Sequence, residues 1–193
     1  MVKQRTFMDD SETRIKNARD FAYQKHRNQK RNGDAPYTDH LEGVVFRLKN
    51  LGIADTEVIC AAWLHDVLEK TDATLDELIQ RFGKETATLV LSLTKSKDIP
   101  KKDIETQYIK QLRDAPIEAK IIKLCDISSN IKDLSTSTIS KTQKNKQIRK
   151  ILHYLKIIKN EISESKSEHP KIQDLVDGIN TVAVKFKQQK ISI

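Results

Sequence analysis

Residues 61–69 read AAWLHDVLE, and the fold and the chemistry both turn on this stretch. Ala61, Ala62, Trp63, Leu64, Val67 and Leu68 make it an apolar helical segment. Into it the sequence sets an adjacent imidazole and carboxylate, His65-Asp66, with Glu69 one turn further on. An apolar helix rarely carries adjacent ionisable groups without a partner, because an unpaired buried charge costs several kcal/mol. A divalent metal is the partner that suits an imidazole beside a carboxylate. Neighbours on a helix point about 100° apart, so His65 and Asp66 reach a shared cation from one side only. Further ligands must come from other helices, and two places offer them: His40 in PYTDHLEGV and Asp126 in IIKLCDISSNIKDL. Two imidazoles and two carboxylates form an N/O set that suits manganese, iron or zinc. The chain has no Cys-x-x-Cys pair, which argues against a structural zinc site. An open coordination position would hold a water that the cation acidifies into a nucleophile. Glu69 lies three residues beyond Asp66 and four beyond His65, so one helical face is expected to carry all three. It is either an orienter of a ligand or the group that handles the proton of the attacking water.

Helical spacing recurs on both sides of this segment. Ile15, Ala18, Phe21 and Ala22 share a face within a helix expected over 11–29. Asn32-Gly33 marks a turn in the loop 31–36. A helix over 38–50 is closed by Leu51-Gly52, and the next is expected to run from 56 through 69. Thr74 caps TLDELIQRF, with Glu77 at the capping-box position and Gly83 after its end, before another helix to about Thr94. KSKDIPKK reads as a loop, and a helix follows over 103–113. Pro116 opens the helix that carries Asp126. Two more helices are expected over 141–161 and 171–188, joined by SESKSEHP, 163–170. No stretch alternates as a strand does and no repeat is visible. The expectation is an all-α bundle of about eight to ten helices, one domain over residues 1–193.

Composition agrees. Aromatic residues make up 5% of the chain and there are five glycines, which favours helices over a sandwich or barrel. No apolar run reaches the roughly 18 residues of a membrane span, and MVKQRTFMDDSETR lacks the apolar core of a signal peptide. Cys60 and Cys125 both lie in apolar helical contexts, so they read as small buried thiols in a reducing cytoplasm. Much of the net charge of +8 sits in the C-terminal third, as in KTQKNKQIRK. It makes a solvated helix face, or a surface that attracts polyanions or a phosphorylated ligand. Aromatics are not interleaved with these cations, so a base-stacking platform for single-stranded nucleic acid is not expected. Trp63 reads as core and His26, after Lys25, as solvent-facing.

The ordered set ARDFAYQKHRNQKRNGDAPYTDH, AAWLHDVLEKTDATLDELIQRFGKE, LSLTKSKD and IIKLCDISSNIKDL resembles the HD-domain phosphohydrolases. More closely, it is similar to the hydrolase domain of the RelA/SpoT alarmone enzymes and to their single-domain relatives, the small alarmone hydrolases. The resemblance runs from about Ala18 to Leu134. It implies His40, His65, Asp66 and Asp126 as ligands of one metal, typically manganese, and Glu69 as the catalytic acid–base group. It implies Arg31 near the guanine base and Asn130 near the ribose. The implied reaction removes the 3′-pyrophosphate of (p)ppGpp, giving GDP or GTP and pyrophosphate. Two residues depart from the family pattern. Lys70 stands where an acid usually follows Glu69, and Asn32 stands where a lysine usually follows Arg31. They leave open a different substrate, (p)ppApp or the 2′-phosphate of NADPH, or a nucleotide-binding module without catalysis. Lys95 could face phosphates or solvent, and RKILHYLK offers Lys150, His153 and Tyr154 as further pocket residues.

Overall fold

The computed structural model describes residues 2–31 and 34–193, with side chains from Asp10 onward; Asn32 lies outside the described residues. Among these the chain forms nine α-helices and no strand. They are α1 (Val2–His26), α2 (Tyr37–Asn50), α3 (Thr56–Leu64), α4 (Val67–Lys70), α5 (Leu75–Leu93), α6 (Lys101–Asp114), α7 (Ile117–Thr136), α8 (Lys141–Glu164) and α9 (Ile172–Lys185).

Two helices form the centre: α3 is apolar nearly all round, and α7 presents a broad apolar face. Every residue of α3 from Val58 to Leu64 is buried, as are Ile121, Ile122, Leu124, Cys125, Ile127 and Ile131 of α7. A helix that is apolar on all sides must be enclosed by others. Accordingly α3 packs against α1, α2 and α5, and α7 packs against α2, α8 and α9. Trp63 joins the core as expected, its ring edge-on to Tyr23. Both cysteines are free and buried, and burial pushes the Cys60 thiol up to about 11. No helix is long and apolar enough to cross a membrane among the described residues.

The structure corrects the expected continuous helix over 56–69. The chain breaks after Leu64, and His65-Asp66 forms the turn between α3 and α4. The cause is local: the His65 Nδ1–H donates to the Ala62 carbonyl at 2.8 Å, taking up an oxygen that the next helical turn would otherwise use. Asp66 adopts φ −106°, ψ −7°, the bridge conformation found in turns. Glu69 therefore belongs to a different helix from the residues before the turn.

Other boundaries follow their sequence signals. Gly52 (φ 88°) closes α2, and Gly83 (φ 86°) breaks α5 where two helices were expected. The penultimate helix runs through Glu164, past its expected end at 161, and a 3-10 turn (Ser165–Ser167) continues it. The C-terminal end of α5 receives an unusual cap: the Gln111 side-chain amide of α6 donates to the carbonyls of Leu91, Ser92 and Thr94 at 2.9, 3.0 and 2.9 Å. At N-termini, Asp55 accepts from the Val58 N–H at 2.9 Å, and Ser140 and Gln143 form a reciprocal capping box. Asp55→Ala is expected to cost about 1 kcal/mol. Thermal denaturation should record this as a fall of roughly 2–4 °C; an unchanged midpoint would show that the cap contributes nothing.

Candidate metal centre

Two helices and one turn bring the candidate ligands together. His40 comes from the first turn of α2, His65 and Asp66 from the α3–α4 turn, and Asp126 from the middle of α7. All four residues are buried, between 2% and 8% exposed, so each polar atom must find a partner inside. Two do not. The Nε2 atoms of His40 and His65 have no hydrogen-bond partner among the described residues.

These two orphan nitrogens converge. His40 Nε2 lies 3.2 Å from Asp126 Oδ1 and 3.8 Å from Asp66 Oδ2. His65 Nε2 lies 3.3 Å from Asp66 Oδ2 and 3.8 Å from Asp126 Oδ1. His40, His65 and Asp126 each offer a ligand atom within 4.8 Å of the others. Ligands at about 2.1 Å from one ion stand about 3–4 Å apart, so the spacing fits a single cation. The residues therefore fit a divalent metal: two imidazole nitrogens lacking partners face carboxylate oxygens across a gap of ionic size.

Both imidazoles are held from behind through Nδ1. His65 gives its Nδ1–H to Ala62, and His40 Nδ1 lies 3.2 Å from Ser129 Oγ. Orientation through the rear nitrogen leaves Nε2 free to ligate. Burial holds His40 below the ordinary imidazole value against the pull of Asp126, which keeps it in the neutral, ligating form. Burial acts on His65 in the same sense, but Asp66 beside it wins and raises it. Burial alone would raise both carboxyls. For Asp66 the charges of His65 and Lys70 overcome it, and for Asp126 the charge of Lys123 and the close contact with the His40 ring nitrogen, so both are held well below the usual range.

The two carboxylates have different surroundings. Lys123 Nζ contacts Asp126 Oδ2 at 2.8 Å, and Asn130 Nδ2 donates to Asp126 Oδ1 at 2.5 Å. Lys70 Nζ contacts Asp66 Oδ2 at 2.8 Å, and the Tyr37 hydroxyl donates to the same oxygen. Lys70 thus reaches neither Glu69 nor solvent alone; its charge rests on a candidate ligand.

A cleft of about 230 Å³ opens beside this cluster, and His65, Asp66, Glu69, Lys70, Asp126 and Asn130 are all on its wall. Lys95, Lys123, Lys150 and Tyr154 line it as well. Lys95 and Lys123 both stand over the Tyr154 ring at 5.1 Å. Glu69 is fixed by the Lys95 backbone N–H, which donates to Oε2 at 3.2 Å. Arg31 is joined to the site indirectly, its Nη2 donating to Asn130 Oδ1 at 2.6 Å. A larger space of about 680 Å³, between Ile53, Val58, Leu89, Ile117 and Ile121, holds none of the candidate residues.

Sequence reasoning missed three supports of this site. Tyr37 lies three residues before His40 and Lys123 three before Asp126, the helical spacing of neighbours. His26 is 1% exposed, not solvent-facing, and stacks on Tyr37 at 4.7 Å. Ala18, Ala22 and His26 recur every four residues, which was the signal that His26 shares the buried face of α1.

The HD domain matches residues 18–157 of this chain. The zebrafish guanosine-3′,5′-bis(diphosphate) 3′-pyrophosphohydrolase MESH1 is 40% identical over 121 residues, covering 61% of this chain and 67% of the relative. The human MESH1 is 37% identical over 134 residues, 68% of this chain and 75% of the relative. A solved structure, described as a metazoan ortholog of SpoT that hydrolyses ppGpp and plays a role in starvation responses, superposes with a TM-score of 0.73. Its identity is 26%, and the match covers 87% of this chain and 94% of that one. The fold is that of an HD-type hydrolase. The chain belongs to the HD domain family and, within it, to the RelA/SpoT-type ppGpp hydrolases represented by MESH1.

Proposed function

We propose that this chain is a metal-dependent hydrolase that removes the 3′-pyrophosphate of (p)ppGpp, yielding GDP or GTP and pyrophosphate. The observation that carries the reading is the pair of buried, unpartnered Nε2 atoms facing Asp66 and Asp126, in a chain related to named ppGpp hydrolases. His40, His65, Asp66 and Asp126 are the ligands. Manganese is the ion we assign, because the resemblance to the alarmone hydrolases implies it and the N/O donor set, which also suits iron or zinc, accepts it. When bound, the ion supplies Lewis acidity and lowers the pKa of water.

The remaining work falls to side chains of the cleft. Glu69, held by the Lys95 N–H, takes the proton of the attacking water as its oxygen adds to the phosphorus, and returns it to the ribose 3′ oxygen as that P–O bond breaks. Lys95 and Lys150 line the cleft and supply positive charge to the phosphates. Asn130 and Arg31, linked to one another, are assigned to the ribose and the guanine side of the nucleotide. Residues 1–193 are read as one domain, supported by an apolar core that runs from Ala18 of α1 to Ala183 of α9. A reducing cytoplasm is the assigned compartment, supported by the two free buried thiols.

The test is anion-exchange analysis of products after incubation with manganese and ppGpp. GDP and pyrophosphate should appear and a chelator should suppress them. Intact, metal-loaded protein that leaves ppGpp untouched overturns the assignment. Turnover of (p)ppApp or NADPH instead, in the same assay, would move the substrate and keep the metal site. Glu69→Gln should lower kcat by about 10²–10⁴ while metal still binds in stoichiometric amount. Unchanged turnover in that variant would remove Glu69 from the proton path.

A further inference from the structure

We infer that Lys70 competes with the divalent ion for Asp66, so that metal binding must displace its ammonium into the cleft. The inference rests on the reading of His40, His65, Asp66 and Asp126 as ligands.

The two Lys–Asp pairs of the site look alike and are not. On Asp126 the cation and the histidines use different oxygens: Oδ2 takes Lys123 at 2.8 Å, while Oδ1 faces the histidine nitrogens at 3.2 and 3.8 Å and accepts from the neutral Asn130 amide at 2.5 Å. Lys123 therefore leaves the ligating oxygen accessible to an ion. On Asp66 the same oxygen does everything. Oδ2 faces His65 Nε2 at 3.3 Å and His40 Nε2 at 3.8 Å, and it also takes Lys70 Nζ at 2.8 Å and the Tyr37 hydroxyl. An ion bound to Oδ2 at about 2.1 Å would stand within about 5 Å of the ammonium. At that separation a monovalent and a divalent cation sharing one buried oxygen repel strongly.

Lys70 is built to yield. Its side chain is 39% exposed, against 13% for Lys123, and it ends the one-turn helix α4 on the cleft wall. The backbone there is held separately: Gln29 Nε2 donates to the Lys70 carbonyl at 2.7 Å, and the Lys70 N–H bonds to the Asp66 carbonyl at 2.9 Å. An outward swing of the stem breaks the ammonium's bonds to Asp66 Oδ2 and to the Tyr37 hydroxyl but none of the backbone bonds that hold the turn carrying His65 and Asp66. Tyr37 remains as the hydrogen-bond partner of Asp66 when the ammonium leaves. Lys70 is thus a positioning residue, a resident cation that sets how tightly the site takes metal.

Calorimetric titration of the chelator-stripped full chain with manganese tests this without reference to any nucleotide. Lys70→Met should bind manganese on the order of tenfold more tightly than the wild type, equivalent to about 1.4 kcal/mol. Lys70→Gln, neutral but polar, should shift in the same direction, and Lys70→Arg, still charged, should stay near the wild type. His65→Ala is the ligand control. Equal or weaker binding by Lys70→Met and Lys70→Gln, with His65→Ala inactive as a binder, overturns the competition alone. A gain in Lys70→Arg as large as in Lys70→Met also overturns it, because volume and not charge would then be responsible. If the wild type and His65→Ala titrate identically, the ligand reading itself fails and takes the inference with it.

Discussion

His65→Ala is expected to abolish stoichiometric binding of a divalent ion and to lower hydrolysis by about three orders of magnitude or more. Without the ion, water retains a pKa near 15.7, about nine units above the value it can reach on a metal, and the nucleophile all but disappears at neutral pH. The greater reactivity of free hydroxide recovers only part of that loss. The geometry offers no substitute for the missing nitrogen. His26, the other buried imidazole of this region, is stacked on Tyr37, and its Nδ1 is 2.9 Å from Gln29 Oε1. Calorimetry with manganese and a single-turnover product assay would check both halves of the expectation. Retained metal stoichiometry in His65→Ala would remove His65 from the ligand set. The contrast with Glu69→Gln separates the two roles, since that variant should lose rate and keep metal.

The second large effect falls on stability. Lys123→Ala is expected to destabilise the metal-free protein by about 3 kcal/mol, the lower end for breaking a buried ion pair from one side. Asp126 is 6% exposed and Lys123 is its closest cation. Burial disfavours the Lys123 ammonium, and Asp126 overcomes that penalty and raises its pKa well above the usual lysine value. Removal of the lysine leaves a carboxylate in apolar surroundings with Asn130 and the histidines alone. Thermal denaturation should show a fall of roughly 6–12 °C, from about 2–4 °C per kcal/mol for a chain of this size. A midpoint within 2–4 °C of the wild type, about 1 kcal/mol, would mean that the pair is nearly neutral for folding. The sign of the pH dependence follows from the same pair. Asp126 is held below its unfolded value, so its contribution is complete above that value and is lost as the pH falls through the folded one. Lys123→Ala should therefore lose its disadvantage in acid.

Much of this site was legible in the sequence because buried ionisable residues stand out in apolar helices. His65 and Asp66 in AAWLHDVLE, and Asp126 in IIKLCDI, announced themselves that way, and the structure brings them together with His40. The helix start at Thr74 and the breaks at Gly52 and Gly83 were readable for a similar reason, since a capping hydroxyl and positive φ have residue signatures. The break between Leu64 and Val67 was not readable. Nothing in the residue types AWLHDVL forbids a helix, and the interruption depends on the hydrogen bond from His65 back to Ala62. Partners across the fold were equally hidden. The link from Arg31 to Asn130 and the Tyr37 hydroxyl on Asp66 join residues distant in sequence and depend on how separate elements meet.

The triple amide cap from Gln111 has a consequence for how this enzyme's lineage can drift. Gln111 anchors Thr94, the residue before Lys95, and the Lys95 N–H in turn holds Glu69. A glutamine on a helix outside the cleft thereby governs the posture of the proposed proton acceptor. Two descendants with identical cleft walls can then differ in speed through an exchange at position 111. A catalogue of cleft residues alone would judge them equivalent, and the difference would be inherited through a carbonyl cap.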